Sequence, residues 1–338
     1  MKVAAITGPR QAELIDKPDP RPAEDFAVVK VHVAPMCTEY KAYKAGRATD
    51  RLGHEAAGEV VEVAQPGTVA VGDRVVVMPQ YPCGVCPLCL AGEYIHCQHT
   101  VKPLEICGCE AGTATYAQYV VKEDWLLLPI PDDMSYEHAS MACCGLGPTF
   151  GAMQRMAVDA LDTVLIAGMG PVGLGGLINA VVRGARTVVV EPHPYRRELA
   201  LDIGAAAAVD SADEDALQQI LDLTGGVGAD KAVDCSGAAA AQRLLIDAVR
   251  RRGQVSFVGE AGDLTVAVSR DLIRKGISLH GVWHWNLRDT PRIMQTIRAG
   301  AELIDKQITH HFPLAAVADA WELQLTGRCG KVILHPWE

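Results

Sequence analysis

Four cysteines lie close together on one short loop of this sequence. Cys83, Cys86, Cys89 and Cys97 form the pattern C-x2-C-x2-C-x7-C within the segment YPCGVCPLCLAGEYIHC. Four thiolates so placed close a tetrahedron around one zinc ion and leave no position for a substrate, which is typical of a structural site. An iron–sulfur cluster is the alternative, but its usual cysteine spacings differ. The pattern therefore predicts a structural zinc ion.

A glycine-rich turn follows the apolar segment TVLIAG. Gly168, Gly170 and Gly173 have the spacing G-x-G-x-x-G, and Pro171 and Val172 begin the helix-like segment behind them. In a dinucleotide-binding turn the first glycine permits the bend, the second lets the backbone approach a pyrophosphate, and the third lets helix pack on strand. The helix N-terminus also offers free N–H groups to the phosphates. The turn therefore predicts a bound dinucleotide.

The acidic residue at the end of the next apolar segment bears on which dinucleotide is bound. Glu191 lies at the distance from the turn where a carboxylate accepts hydrogen bonds from the adenosine ribose hydroxyls. A carboxylate there repels a 2′-phosphate, which favours NAD over NADP. Two alternatives stay open: Glu191 is a solvated loop residue, or Arg196 nearby serves an NADP phosphate.

The elements that must position these residues change in type along the chain. The first half has strand-like segments at 28–33, 59–63 and 72–78 and little helical periodicity. A helix is predicted within 135–156, and beyond it apolar strands alternate with helices. The predicted strands are 163–168, 187–192, 231–237 and 254–259, and the predicted helices are 172–183, 195–203, 212–223 and 239–251. Such alternation predicts a parallel sheet covered on both faces, a doubly wound α/β domain.

Composition narrows the class of protein. The 338 residues suit two domains, and 49% hydrophobic with 21% charged residues is typical of a packed globular protein. A net charge of −10 argues against a nucleic-acid or acidic-membrane partner, which would need a basic surface. No apolar run of about 18 residues is present, and the first residues lack the apolar core of a signal peptide. We therefore expect a cytoplasmic protein, whose eleven cysteines stay reduced and serve partly as metal ligands.

Several further motifs stand in a fixed order with those above. They are Cys37, Gly53-His54-Glu55-Ala56-Ala57-Gly58, GDRV at 72–75, CCGLGPTFG at 143–151 and GKVIL at 330–334. Together the motifs resemble those of the zinc-dependent medium-chain dehydrogenases, which include alcohol, threonine and sorbitol dehydrogenases, and the resemblance covers nearly the whole chain. It implies a mostly-β GroES-like catalytic domain at 1–146, an NAD-binding Rossmann domain at 147–287, and a return of residues 288–338 to the catalytic domain.

The resemblance also implies a catalytic zinc site with an open position. Its protein ligands correspond to Cys37, His54 and Cys144, with the adjacent Cys143 as the alternative third ligand. Glu55 resembles the family's carboxylate that tunes the metal from outside the ligand shell. Three ligands leave the fourth position to water or a substrate oxygen.

The sequence departs from the family after Cys37. Relatives continue with Gly or His, then Ser or Thr, then Asp, whereas this chain continues Thr38-Glu39-Tyr40-Lys41. Either one residue is deleted, so that Thr38 is the proton-relaying hydroxyl and Glu39 the acid, or the relay is rebuilt from Glu39 with Lys41 or Tyr43. Polyol and threonine dehydrogenases commonly have Glu as the third ligand, so their substrates do not transfer directly.

The resemblance implies hydride transfer between an alcohol and NAD, with a polar secondary alcohol such as a polyol, sugar or amino alcohol as substrate. It also implies a homodimer or homotetramer. One alternative is a non-catalytic NAD-binding zinc protein, which should lack a catalytic ligand. Another is a zinc-free quinone or enoyl reductase of the same superfamily, which should lack the Cys and His ligands. A zinc-ribbon nucleic-acid binder would need a basic surface.

Overall fold

The structure of the protein is a computed structural model, and it describes residues 1–109, 111–260 and 262–338. The chain divides into two compact units. Unit 1 comprises Met1–Gly145, Asn286–Arg298 and Ile308–Glu338, and unit 2 comprises Leu146–Trp285 and Ala299–Gln307. Each unit is built on its own large sheet.

The strands in chain order are β1 (Lys2–Gly8), β2 (Gln11–Asp16), β3 (Phe26–Pro35), β4 (Ala56–Val63), β5 (Arg74–Val77), β6 (Tyr119–Glu123), β7 (Leu127–Pro129), β8 (Thr163–Ala167), β9 (Arg186–Val190), β10 (Ala207–Val209), β11 (Ala229–Asp234), β12 (Val249–Phe257), β13 (Ser278–Gly281), β14 (Ile308–Pro313) and β15 (Lys331–His335). The helices are α1 (Tyr40–Ala45), α2 (Pro87–Leu90), α3 (Pro103–Ile106), α4 (Tyr136–Ser140), α5 (Gly147–Arg155), α6 (Pro171–Val182), α7 (Pro194–Ile203), α8 (Ala216–Leu223), α9 (Ala239–Ala248), α10 (Thr290–Ala299), α11 (Ala301–Gln307) and α12 (Val317–Thr326). No helix in the described ranges is long and apolar enough to span a bilayer.

The sheet of unit 1 is mixed, with the order β14-β15-β3-β4-β5-β7 and with β6 also paired to β3. The long strand β3 is its centre, and alternate residues such as Val29 and Val31 point into a core that Trp321 of α12 also enters. The C-terminal strand β15 runs antiparallel to β3, with Ile333 opposite Pro35. The end of the chain is therefore part of the sheet that leads directly to Cys37.

The sheet of unit 2 is parallel, with the order β10-β9-β8-β11-β12-β13. Counted from β8 as strand 1, this is the order 3-2-1-4-5-6 of dinucleotide-binding folds. Its inner strands are continuously apolar, as Val164, Leu165 and Ile166 illustrate, because helices cover both faces. The order reverses between β8 and β11, and nucleotides bind at that switch point in such sheets.

Two predicted elements differ from the structure. The helix expected within 135–156 is two helices, α4 and α5, separated by a turn that contains Cys144. Helix α5 begins at Gly147 and has Pro148 in its first turn, because a proline is accommodated there but not inside a longer helix. The return segment predicted at 288–338 is also interrupted, since Ala299–Gln307 belongs to unit 2. The reason is that α11 packs on α6 and α7, and the Gln307 amide donates to the Pro171 carbonyl at 2.8 Å.

Candidate functional site

One candidate metal site lies in unit 1, where three loops converge. Cys37 follows β3 and His54 precedes β4, and these strands are antiparallel neighbours with Val33 opposite Ala57, so the two side chains meet. The turn after α4 adds Cys144, whose Sγ lies 3.3 Å from His54 Nε2. One ligand atom from each of these residues and from Glu55 lies within 4.8 Å of the others.

The structure distinguishes the two adjacent cysteines of the turn. Cys144 faces His54, whereas the Cys143 thiol is fully buried and donates to the Val77 carbonyl at 3.3 Å. Burial also raises the pKa of Cys143 above the usual thiol range. Cys143 is therefore placed to pack against β5, and Cys144 to bind a metal.

The charges of this cluster suit a cation. The Cys144 thiol donates a hydrogen bond to Cys37 and holds the pKa of Cys37 well below the usual thiol value. Burial disfavours a charge on His54, yet the hydrogen bonds with Cys37 and Glu39 outweigh it and raise the pKa of His54 well above its usual value. The anionic groups around His54 favour a positive charge at this point, and a zinc ion would supply that charge in place of a proton, bound by a neutral imidazole and a thiolate. Zinc–nitrogen and zinc–sulfur bonds of about 2.05 and 2.3 Å in a tetrahedron place N and S about 3.6 Å apart, close to the 3.3 Å observed.

Glu39 holds the other side of the histidine. Its Oε1 lies 2.8 Å from His54 Nδ1, and its Oε2 accepts from the Tyr116 hydroxyl at 2.9 Å and from the Cys37 backbone N–H at 3.2 Å. Burial alone would raise the pKa of Glu39, but the contact with His54 lowers it to about 2. The carboxylate thus fixes the proton on Nδ1 and turns Nε2 toward the thiols, as carboxylate–histidine–zinc groups require.

The hydroxyls of the predicted relay lie in different surroundings. Thr38, between Cys37 and Glu39, is exposed. The Tyr43 hydroxyl instead donates to the Arg10 carbonyl and to Glu322 at 3.1 and 3.0 Å, away from the cluster. The exposed Thr38 is therefore accessible to a substrate. The Tyr43 hydroxyl is instead engaged in contacts with Arg10 and with Glu322 of α12.

Glu55 is held by an ion pair inside the protein. Its Oε1 accepts from Lys331 Nζ at 2.7 Å, both side chains are completely buried, and Oε2 accepts from the Cys144 backbone N–H at 3.1 Å. Burial raises the pKa of Glu55 to about 7, and Lys331 acts against that rise. Burial likewise disfavours the Lys331 charge, but Glu55 and the two cluster thiols raise the pKa of Lys331 overall. Glu55 therefore fastens the backbone of Cys144 to β15.

The four predicted cysteine ligands also come together. The sulfur of Cys86 lies 3.5 Å from that of Cys89 and 3.9 Å from that of Cys97, which lies 3.6 Å from the sulfur of Cys83. Zinc–sulfur bonds of about 2.3 Å place tetrahedral sulfurs about 3.8 Å apart. Burial raises the pKa of Cys89 to about 12, so the four thiols do not all ionise without a cation among them. This loop fits a closed zinc site.

The glycine turn in unit 2 has the shape that a dinucleotide needs. Gly168 has φ +86°, a left-handed conformation that favours glycine, and a Cβ on Gly173 would lie 1.7 Å from the Gly168 carbonyl oxygen. A Cβ on Gly170 would meet nothing within 4 Å, so the space above it is open to a ligand. Pro171 and Val172 start α6, whose N-terminus faces the turn. Each glycine thus meets the requirement of its place in the motif.

The acidic residue after β9 contacts this turn. Glu191 is buried, its Oε2 accepts from the Met169 backbone N–H at 2.6 Å, and its Oε1 accepts from the His193 N–H at 2.9 Å. The carboxylate therefore holds the backbone of the turn. Arg197 pairs with Asp210 at 2.7 Å, whereas the buried Nε of Arg196 has no hydrogen-bond partner among the described residues.

Comparisons with known proteins identify the family to which both halves of the chain are similar. The sequence model of the alcohol dehydrogenase GroES-like domain matches residues 23–132, and that of the zinc-binding dehydrogenases matches residues 171–299. A zinc-type alcohol dehydrogenase-like protein of Escherichia coli is 30% identical over 99% of this chain and 98% of its own. The L-threonine 3-dehydrogenase of Pyrococcus horikoshii is 31% identical over 95% of this chain and 94% of its own. The chain belongs to the zinc-dependent medium-chain dehydrogenases.

A solved structure extends the comparison to the fold. The alcohol dehydrogenase TADH from Thermus sp. ATN1 superposes with a TM-score of 0.89 at 23% identity and covers 99% of each chain. The predicted fold class, a Rossmann sheet with a GroES-like domain, is confirmed. The chain is a zinc-dependent oxidoreductase that acts on alcohols. The predicted cofactors, zinc and NAD, agree with these models and with the structure of an NAD-dependent alcohol dehydrogenase that is 26% identical over 99% of each chain, with a TM-score of 0.82.

Three positioning residues of this dehydrogenase were not identified from the sequence. Tyr116 holds Glu39, Lys331 neutralises Glu55, and the Asn286 amide donates to Ala91 and Glu93 at 2.9 and 2.8 Å and so supports the cysteine loop. The motif at 330–334 contains Lys331, and a lysine within an otherwise apolar strand was a usable signal. No local pattern indicates Tyr116 or Asn286.

Proposed function

We propose that this protein oxidises a polar secondary alcohol, of the polyol, sugar or amino-alcohol kind, with NAD, or reduces the matching carbonyl. The observation that carries the proposal is the convergence of Cys37, His54 and Cys144 around one point, with His54 oriented by Glu39 at 2.8 Å. A non-catalytic relative should lack one of these ligands, and a zinc-free reductase should lack the Cys and His pattern altogether. The threonine dehydrogenase relative acts on L-threonine, as its name states; although that substrate does not transfer directly to this chain, its polar character supports the polar substrate class.

The catalytic residues have separate tasks in this proposal. Cys37, His54 and Cys144 would hold the catalytic zinc, and Glu55 would hold the backbone of Cys144 from outside the ligand shell. When bound, zinc supplies a Lewis acid that lowers the pKa of a substrate hydroxyl toward neutrality. Cys83, Cys86, Cys89 and Cys97 would hold the structural zinc.

The proton leaves through a side-chain hydroxyl in this mechanism. Both oxygens of Glu39 are occupied by His54, Tyr116 and the Cys37 N–H, whereas Thr38 beside it is exposed. This division supports the deletion hypothesis, in which Thr38 Oγ1 would accept the substrate's proton and pass its own to water, while the Glu39 carboxylate orients the histidine. Such a relay contributes typically about 10²- to 10⁴-fold to the rate.

The glycine turn would bind the cofactor. The turn formed by Gly168, Gly170 and Gly173 lets a pyrophosphate approach the free backbone N–H groups at the start of α6 (Pro171–Val182). Val172 supplies the first of these N–H groups, because Pro171 has none. Glu191 would accept from the ribose hydroxyls and disfavour a third phosphate, which supports NAD; Arg196, with its unpaired Nε, is the residue that NADP would use. When bound, NAD would supply the acceptor for the hydride of the alcohol carbon.

We also infer a cytoplasmic homodimer or homotetramer. All eleven cysteines are free, in keeping with a reducing compartment. The oligomeric state rests on family resemblance, and sedimentation of the purified protein tests it.

The experiment is a substrate panel combined with zinc analysis. NADH formation is followed with sorbitol, L-threonine and 1-propanol, and we expect turnover with a polar secondary alcohol to exceed that with the simple primary alcohol. The variant Cys144→Ser should lose one zinc ion per subunit and at least about 100-fold in turnover, since a Lewis acid contributes several kcal/mol. Its matched control is the neighbouring thiol, and Cys143→Ala should keep both properties.

Two results would contradict the proposal. If the zinc-loaded protein formed no NADH from any alcohol, the oxidoreductase function would be wrong. If Cys143→Ala rather than Cys144→Ser lost the ion, the ligand assignment would be wrong while the function could stand.

A further inference from the structure

A third group of metal-ligating side chains lies apart from both zinc sites described above. It consists of Glu137 on α4, His311 on β14 and His335 on β15, all in unit 1. Strands β14 and β15 are parallel neighbours with His311 opposite Ile333. Because side chains alternate along a strand, His335 lies on the same face as Ile333, diagonally beside His311. The pairing of the two strands therefore creates the histidine pair.

The three ligand atoms form a tight triangle. His311 Nδ1 lies 3.1 Å from His335 Nε2 and 3.4 Å from Glu137 Oε1, and that oxygen lies 3.6 Å from His335 Nε2. Zinc bonds of about 2.0–2.2 Å to nitrogen and oxygen place tetrahedral ligand atoms about 3.3–3.6 Å apart. Two of the three distances fall within this range, and the third, 3.1 Å between the two histidines, is slightly shorter, so the triangle is close to one face of a zinc tetrahedron.

The surroundings fit an ion that keeps one open position. The side chains of His311, His335 and Glu137 are 48%, 17% and 32% exposed, so water reaches the triangle. Behind it, Glu338 Oε1 lies 3.8 Å from Nδ1 of His335, the ring nitrogen that faces away from the triangle. A carboxylate at this ion-pair distance favours a proton on the outer nitrogen and leaves the inner nitrogen to a metal.

We propose that Glu137, His311 and His335 bind a third divalent transition-metal ion, of the class of zinc, at the surface of unit 1. Two imidazole nitrogens with one carboxylate suit zinc or copper(II) and do not suit the oxygen-preferring ions Mg²⁺ and Ca²⁺. The bound ion connects the C-terminal strand pair to α4, the helix that leads into the turn carrying Cys144. Its effect is to stabilise unit 1, with no part in the chemistry.

The test is a count of zinc ions in the intact holoenzyme. Protein already loaded with its two tightly held zinc ions is titrated with zinc chloride in a calorimeter, and elemental analysis follows removal of free metal. We expect the wild type to take up one further ion per subunit and to gain thermal stability from it. His311→Ala and His335→Ala should take up none, and titration with magnesium chloride should give no binding heat in any form.

The adjacent strand residue provides the matched control. His310 points to the opposite face of β14 and contacts Thr309 Oγ1 at 2.8 Å, so His310→Ala should keep the third ion. His311→Ala should also keep NADH formation, whereas Cys144→Ser should lose it, which separates this proposal from the catalytic one. A wild type that stops at two ions, or an unchanged third ion in His311→Ala, would overturn the proposal and leave the three side chains as a hydrogen-bonded group.

Discussion

Replacing Lys331 by methionine tests the buried ion pair behind the catalytic cluster. The change keeps the length of the side chain and removes the ammonium that lies 2.7 Å from Glu55, with both side chains at 0% exposure. At an effective dielectric constant of 20, two charges at this distance attract by about 6 kcal/mol before desolvation is counted. Part of this attraction offsets the cost of burying both charges. Removing one partner of such a pair leaves the other charge buried and unpaired, which lowers the stability of the protein by about 3–5 kcal/mol. We expect a loss of that size in the free energy of unfolding.

The assay is urea unfolding of zinc-saturated protein, followed by the fluorescence of tryptophan. Trp321 is completely buried in the core of unit 1 and reports on the unit that contains the pair. The catalytic zinc should also leave more readily to a chelator, by about 10- to 100-fold in affinity, because Glu55 then loses the partner that keeps it in place beside Cys144.

Two further variants make the test specific. Lys2→Met breaks a pair with Asp16 at nearly the same distance, 2.8 Å, but with side chains 48% and 77% exposed, and it should cause no measurable loss. Adding Glu55→Gln to Lys331→Met removes the unpaired charge and should recover most of the lost stability. If Lys331→Met were as mild as Lys2→Met, burial would not govern the strength of the pair, and the reasoning would be refuted.

Four other variants have expected outcomes. Cys89→Ser should lower the unfolding midpoint and release one zinc ion while the remaining folded protein still turns over, because a closed site contributes folding energy; full loss of turnover at unchanged stability would contradict this. Glu191→Ala should weaken NAD binding relative to NADP, and a wild type that prefers NADP would contradict it. Thr38→Val should lower turnover by about 10²- to 10⁴-fold with NAD affinity spared. Glu39→Gln should instead reduce zinc retention, since Glu39 contacts His54 at 2.8 Å, and near-normal activity in both variants would refute the proposed relay.

Local sequence patterns were sufficient for the parts of the protein whose chemistry is local. The four-cysteine loop and the glycine turn each lie within one short segment, so their spacing alone implies their geometry. The parallel sheet follows from apolar strands alternating with helices, and the strand order in the structure agrees with that class.

Contacts between distant segments were not predictable in the same way. Cys37, His54 and Cys144 are brought together by the pairing of β3 with β4 and by a turn where the sequence indicated helix. The choice between Cys144 and Cys143 depends on which of two adjacent side chains points toward β5, and spacing gave only a preference. Tyr116 and Lys331 lie 77 and 276 positions from the carboxylates they hold. No local sequence pattern can therefore show which carboxylate each of them contacts.

The division of unit 1 into three stretches of chain has a consequence for the order in which the protein matures on the ribosome. The cysteine loop is complete once Cys97 has emerged, so its zinc can be bound early. Lys331 is made well after Cys144, and at about 5–20 residues per second the interval between them is roughly 10–40 s. During that interval Glu55 has no ammonium beside it, and the edge of β3 that later pairs with β15 is open. The nascent chain can therefore hold its four-cysteine zinc ion well before the ion pair behind Cys144 is able to form.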